Sequence, residues 1–215
     1  AGGADAGNGG AGQASRMAVD AAGNVTVISG PAGGRLLAVT SYTIDGALRW
    51  RTTVAPVSGT FVGDWVASTS NGDVVTLGHS LDSRGRTFAV TLLRVSSSGT
   101  LLWRVDSAGT VLSFGRLLVD PAGNAYFRYN SILYKYAPSG ALLWSVPTSV
   151  PDGAGAFSPD GADLVLTGSP SGGAVWTTAA FSTATGARRW LASAAEGTGA
   201  LDVAVDGGRV YVAGQ

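Results

Sequence analysis

The chain has 215 residues, 45% of them hydrophobic and 13% charged, with 14 basic side chains balanced by 14 acidic ones. That composition is ample for a buried core and excludes a disordered chain, while the charge balance gives no long-range field for nucleic acid or an anionic membrane. Cysteine is absent, which removes disulfides, thiolate metal sites and thiol nucleophiles.

Residues 1–15 are rich in Gly, Ala and Asn and read as a flexible tether of the kind that follows a cleaved export signal. The expected location is therefore extracellular, periplasmic or at the cell surface. No apolar run reaches the roughly 18 residues of a membrane-spanning helix. From residue 16 onward two phrases alternate. One is a turn phrase, seen at Val19-Asp20-Ala-Ala-Gly23-Asn24, Ser70-Asn-Gly72-Asp73, Val119-Asp120-Pro-Ala-Gly123-Asn124, Ser158-Pro-Asp160-Gly161 and Val205-Asp206-Gly207-Gly208. The other places a glycine four residues before a tryptophan: Gly46 and Trp50, Gly99 and Trp103, Gly140 and Trp144, Gly186 and Trp190. Alternating segments such as Leu37–Asp45 and Val90–Ser98 precede the second phrase, so each phrase marks a β-hairpin in which Asp, Asn or Ser opens the turn and glycine supplies the positive φ.

Two hairpins per unit make four strands. The tryptophans stand 53, 41 and 46 residues apart, close to the roughly 40–50 residues of propeller repeats. The expected fold is thus an all-β propeller of four-stranded antiparallel blades, at about 16–56, 62–106, 114–148 and 153–193, with a half blade at 199–215. The open fifth blade is expected to be completed by further chain or by another subunit, making the propeller larger than this chain. Short, repetitive turns join the first to the second and the third to the fourth strand of each blade. The opposite end carries connections that vary freely, among them residues 29–34, 78–86, 129–131 and 169–173, and variable loops at one end suit binding. Trp65 and Trp176 lie off the repeat register and read as core residues.

These repeats resemble the pyrroloquinoline-quinone-like β-propeller superfamily and related bacterial exported proteins. Ala180, Thr185, Gly186 and Trp190 nearly meet its tryptophan-docking pattern, with Ser182 where Asp is expected; the other units keep only Gly and Trp. Val19–Ser29 and Val205–Gly214 are similar to short bacterial propeller repeats. The resemblance implies the fold. It also brings in the quinone-dependent dehydrogenases, whose cofactor and calcium call for acidic and amide ligands that this chain does not cluster, so no cofactor is expected.

The most polar stretch holds His79, the single histidine, with Asp82, Arg84 and Arg86, and reads as a solvated loop with a weak claim to ligand binding. No second His, Cys or nearby Glu completes a metal site, and no Gly-x-Ser-x-Gly elbow points to a hydrolase. The Asp-x-x-Gly-Asn turns offer at most two side-chain oxygens each where calcium takes six to eight ligands, so they read as hairpin chemistry.

The expectation is a non-catalytic scaffold that presents variable loops to a protein or glycan. The alternatives are a structural subunit of a surface fibre or multiprotein assembly and, more remotely, a fragment of a quinone-dependent dehydrogenase. The register predicts that Trp103 and Trp144 are buried between blades with equivalent contacts, and that replacing either with Ala costs on the order of 3–5 kcal/mol in chemical denaturation. On the same reading His79→Ala, in an exposed loop, costs less than about 0.5 kcal/mol.

Overall fold

The structure, a computed structural model, describes residues 14–30, 36–108, 115–151, 153–170, 175–195 and 199–214. The expected tether lies outside the described residues up to residue 13; Ala14 and Ser15 already belong to the first strand. Among the described residues every regular element is a strand, and no helix is long and apolar enough to cross a membrane.

Four sheets are four-stranded antiparallel meanders in chain order. The first is β1 (Ala14–Val19), β2 (Val25–Ser29), β3 (Leu37–Tyr42) and β4 (Leu48–Val54). The second is β5 (Thr60–Ser68), β6 (Val74–Leu81), β7 (Thr87–Val95) and β8 (Leu101–Ala108). The third is β9 (Leu118–Val119), β10 (Ala125–Tyr129), β11 (Ile132–Tyr136) and β12 (Leu142–Pro147). The fourth is β13 (Gly153–Phe157), β14 (Asp163–Gly168), β15 (Trp176–Ser182) and β16 (Arg188–Ala194). A final hairpin joins β17 (Ala200–Asp206) to β18 (Arg209–Gly214). The chain divides into two compact units, one of residues 1–111 with the turns 121–124 and 138–140, the other of the remainder.

The turns explain the repeat phrases. At Asp20, Thr43, Thr69, Asp82 and Ser96 the residue's carbonyl accepts the N–H of the glycine three positions on, and its own N–H donates to the carbonyl four positions on. This is a type I turn followed by a left-handed residue that bulges the hairpin, and glycine fills it at φ +82° for Gly23, +83° for Gly46 and +91° for Gly99. The opening side chain adds its share: one Asp20 carboxylate oxygen accepts the N–H groups of Ala22 and Asn24, each at 2.9 Å. Both Asp20 oxygens are occupied within the turn, because the second accepts the Asn24 side-chain amide at 2.8 Å.

The second strands β6, β10 and β14 are buried almost throughout and lose the alternation seen in the outer strands β4 and β12, whereas β2 keeps it. In the first unit Ile28, Leu37, Val39 and Val54 of the first sheet pack on Phe61, Val74, Leu93 and Val95 of the second. In the second unit Tyr126 and Leu133 pack on Leu164, Leu166, Ala179 and Phe181, and Val165 and Ala180 pack on Val203 of the last hairpin.

The tryptophans form one repeated contact. A Cβ at Gly99 would stand 2.8 Å from Trp50, one at Gly140 2.9 Å from Trp103, and one at Gly186 2.9 Å from Trp144. Each ring thus lies flush on the glycine of the following phrase, where any side chain would collide. Each indole N–H also donates to a carbonyl of that same turn: Trp50 to Ser97 at 2.9 Å, Trp103 to Pro138 at 2.7 Å and Trp144 to Thr183 at 3.2 Å. The contacts are equivalent, as the repeat register requires. They are not fully buried, however: Trp50, Trp103 and Trp144 are half-buried, because strands β4, β8 and β12 are the outermost of their sheets and one ring edge meets solvent.

Partial exposure lowers the expected cost of Trp103→Ala to about 2–3 kcal/mol. Gly140→Val should cost a comparable amount, since it places a branched side chain at φ +86° and lifts the ring. Both changes remove the same contact, so urea denaturation of the double variant should fall short of additivity by about 1 kcal/mol or more. Additive losses would show that ring and glycine do not act as a pair.

Candidate functional site

His79 is not in a loop. It lies in β6, opposite Val62 of β5 and Val90 of β7, with its side chain 13% exposed. Polar residues at Gly78–Ser80 mimic a loop in the sequence, yet the strand continues to Leu81. The histidine meets Asp64 of β5. A bulge between Gly63 and Trp65 turns the Asp64 carboxylate to the His79 ring, with Nδ1 and Oδ2 2.7 Å apart. Arg16 of β1 closes the group: its Nε–H donates to the Asp64 carbonyl at 2.8 Å, and its guanidinium lies 4.0 Å from the centre of the half-buried Trp65 ring.

Desolvation by burial raises the Asp64 carboxyl above its ordinary range, against the opposing pull of His79 and Arg16. A carboxylate that orients an imidazole is two-thirds of a nucleophilic triad. The neighbouring Ser80 does not supply the third member, since adjacent strand residues point to opposite faces and its hydroxyl is buried without a hydrogen-bond partner. Among the described residues no group of three His, Asp or Glu side chains is placed to hold a metal ion.

The other residues of the expected cluster stand apart from His79. Asp82 opens the β6–β7 turn and accepts the N–H groups of Arg84 and Arg86 at 2.8 and 2.9 Å and the Arg86 Nε–H at 2.9 Å. The hydrogen bond from the Arg86 amide leads in holding the Asp82 carboxyl below the usual range. Asp82 and Arg86 therefore shape the turn, while Arg84 is exposed at its tip. The β10–β11 connection is only Asn130-Ser131, both at positive φ (48° and 61°). Connections 30–36 and 169–175 fall largely outside the described residues.

A cleft in the second unit, with about 340 Å³ of empty space that includes open solvent, is lined by Leu118, Tyr126, Arg128, Leu133, Leu164 and Leu166 among others. Arg128 donates to the Val150 carbonyl at 2.6 Å, and burial pushes its pKa down to about 10. On the other face of that sheet Phe127, Tyr134 and Tyr136 stack, with ring centres 5.4–6.4 Å apart.

No protein-family model and no curated protein matches the chain. Solved structures share its fold. A protein of unknown function from Bacteroides caccae superposes with a TM-score of 0.60 at 16% identity, over 91% of this chain and 68% of that one. Kuenenia stuttgartiensis hydrazine synthase gives 0.61 at 14% identity, over 83% of this chain and 48% of that one. The Dos1 propeller gives 0.54 at 12% identity, over 78% and 43%. The chain thus spans between 43% and 68% of the length of these structures, and such identities show the fold alone. The fold is a β-propeller built of four-stranded antiparallel blades.

Because the folded pKa of Asp64 is raised, the fold favours the protonated carboxyl. The stability this contributes is full below the unfolded value of about 3.9 and is lost as pH rises through the folded value. The stability of the wild type minus that of Asp64→Asn, from urea denaturation, should fall as pH rises above about 4. A difference that grows with pH would mean that the ion pair with His79 outweighs desolvation.

Proposed function

We propose that the chain is a non-catalytic β-propeller scaffold that presents its second-to-third-strand connections to a protein or glycan in the cell envelope or outside the cell. The observation that carries this reading is a contrast within one repeat. The tight-turn end is fixed by the same ring-on-glycine contact three times over. The two fully described connections at the other end differ in length and charge: a five-residue turn with Asp82, Arg84 and Arg86, built like the tight turns but covered by no tryptophan, and a two-residue turn at Asn130-Ser131. Connections that differ from unit to unit on a frame that repeats are how loop-based binding is built. Asp20 and Asp82 serve turns and Asp64 pairs with His79 across two strands, which favours binding over catalysis.

The resemblance to pyrroloquinoline-quinone-like repeats of exported bacterial proteins supports the placement outside the cytoplasm. No feature of the site favours the dehydrogenase reading, because the turn carboxylates that calcium would need are spent on backbone N–H groups.

A binding screen of the whole polypeptide against envelope proteins and glycans tests the proposal. Once a ligand is found, Arg84→Ala should weaken it by about tenfold. Ala22→Asp and Ser98→Asp, exposed at the tight-turn end, should leave affinity unchanged. The reverse pattern would overturn the assignment of the binding face.

A further inference from the structure

The third and fourth sheets each have all four strands, yet the layer between them is unevenly filled. Along β13 the residues turned toward the third sheet are Gly153, Gly155 and Phe157, opposite Gly168, Leu166 and Leu164 of β14. Phe157 fills its end, standing edge-on to Tyr126 with ring centres 5.2 Å apart. Toward the other end the two glycines bring no side chain, so β13 presents bare backbone, and a Cβ at Gly155 would stand 2.7 Å from Leu118 and 2.8 Å from Leu166. The cleft of about 340 Å³, open solvent included, lies here and is walled by Leu118, Leu133, Leu164 and Leu166.

The charge along the cleft is positive. Arg128, near the end of β10, is buried, and the Val150 carbonyl holds its guanidinium at 2.6 Å. Burial brings its pKa down to about 10, which leaves it charged at neutral pH. The Gly115 N–H donates to the Arg128 carbonyl at 2.9 Å and so brings Arg116 alongside. Arg116 is 40% exposed and meets the exposed Asp202 at 3.7 Å, a surface pair that water screens. No carboxylate stands among the described residues that line the cleft. Apolar walls beside two guanidiniums are complementary to an apolar group that carries a negative charge next to it. The ends of β10 and β14 and the start of β13, which supply this lining, lie opposite the tight turns of their sheets.

We propose that this cleft takes the C-terminal residue of a partner protein, with an apolar side chain among Leu118, Leu133, Leu164 and Leu166 and the α-carboxylate beside Arg116 and Arg128. A C-terminal residue is the place in a protein where a carboxylate and an apolar side chain share one carbon. It also ends the chain, so a single residue has to enter a cleft of this size. Asp and Glu carry their charge at the tip of the side chain and would take it in among the leucines, where an unpaired charge is costly. Capture of a terminal carboxylate is a recurring mode of peptide recognition. The inference deepens the scaffold reading and rests on it for the choice of a protein as the partner.

The test titrates the full chain with the peptide acetyl-Ser-Gly-Ser-Leu bearing a free C-terminus, followed by calorimetry and by the methyl resonances of Leu133, Leu164 and Leu166. Saturable binding with shifts at those methyls is expected. The C-terminal amide of the same peptide, and the peptide ending in Asp instead of Leu, should each bind about tenfold more weakly or worse. Both changes leave the protein untouched, so a misfolded variant cannot imitate the result. Arg116→Gln, at a side chain that is 40% exposed, should weaken the free-acid peptide by about threefold or more. No binding, equal binding of acid and amide, or shifts confined to other methyls would overturn the proposal. Isocaproate binding as tightly as the peptide would also overturn it, by assigning the cleft to a free apolar acid. A screened partner that depends on Arg84 while the peptide fails would overturn this inference and leave the scaffold reading standing.

Discussion

An indole ring resting on a residue without a side chain is the contact on which the rest of this structure depends. Four-stranded antiparallel sheets can stack face to face in many registers, and apolar contact alone does not choose among them. The ring-on-glycine contact does choose. It demands a glycine at one turn position, a flat surface opposite, and a carbonyl within reach of the indole N–H, and it recurs at Trp50, Trp103 and Trp144. The hydroxyl of Thr52 adds a hydrogen bond to the Gly99 carbonyl. The positive φ of these glycines serves both purposes at once, bulging the hairpin and baring its backbone to the ring.

Buried charge is arranged around the same contact. The residue opposite Trp103 is Arg94, which is buried, pairs with Asp73 at 2.9 Å and donates to the Gly123 carbonyl at 3.1 Å. Opposite Trp144 stands Lys135, whose ammonium reaches the Thr183 carbonyl at 2.8 Å, the carbonyl that also receives the Trp144 indole. Neither cation has the surroundings of a binding site. Each satisfies turn carbonyls that a purely apolar packing would leave unpaired, which is how a buried charge is tolerated. Asp64 and His79 follow the same logic nearer the first strand, where a bulge lets a carboxylate meet an imidazole inside the packed sheet.

How much of this could be read from the residues depends on which periodicity survived burial. The phrases ending in Trp50, Trp103, Trp144 and Trp190 were legible because glycine and tryptophan are both required by one contact, at a fixed spacing set by the hairpin. The outer strands β4 and β12 kept their alternation for the reason that one face is wet. β6 does not: covered on both faces, it carries Val, Thr, Leu, Gly, His and Ser in a run with no period, and for that reason the residues around His79 read as a loop. The pairing with Asp64 was illegible altogether, since it rests on a bulge and on the register of β5 against β6, and neither leaves a mark on residues 15 positions apart. Asp82 and Arg86 were noticed for their charge, although what their type and spacing encode is a turn.

The most direct measurement of the central claim is hydrogen exchange at the indole N–H groups, read from their nitrogen–proton correlations. Three indoles donate to turn carbonyls while lying on glycine. The account predicts slow exchange at Trp50, Trp103 and Trp144, and faster exchange at Trp103 alone once Gly140 is replaced by Val. Unchanged exchange at Trp103 in that variant would contradict it, because the phrase would then be a sequence repeat without a repeated contact.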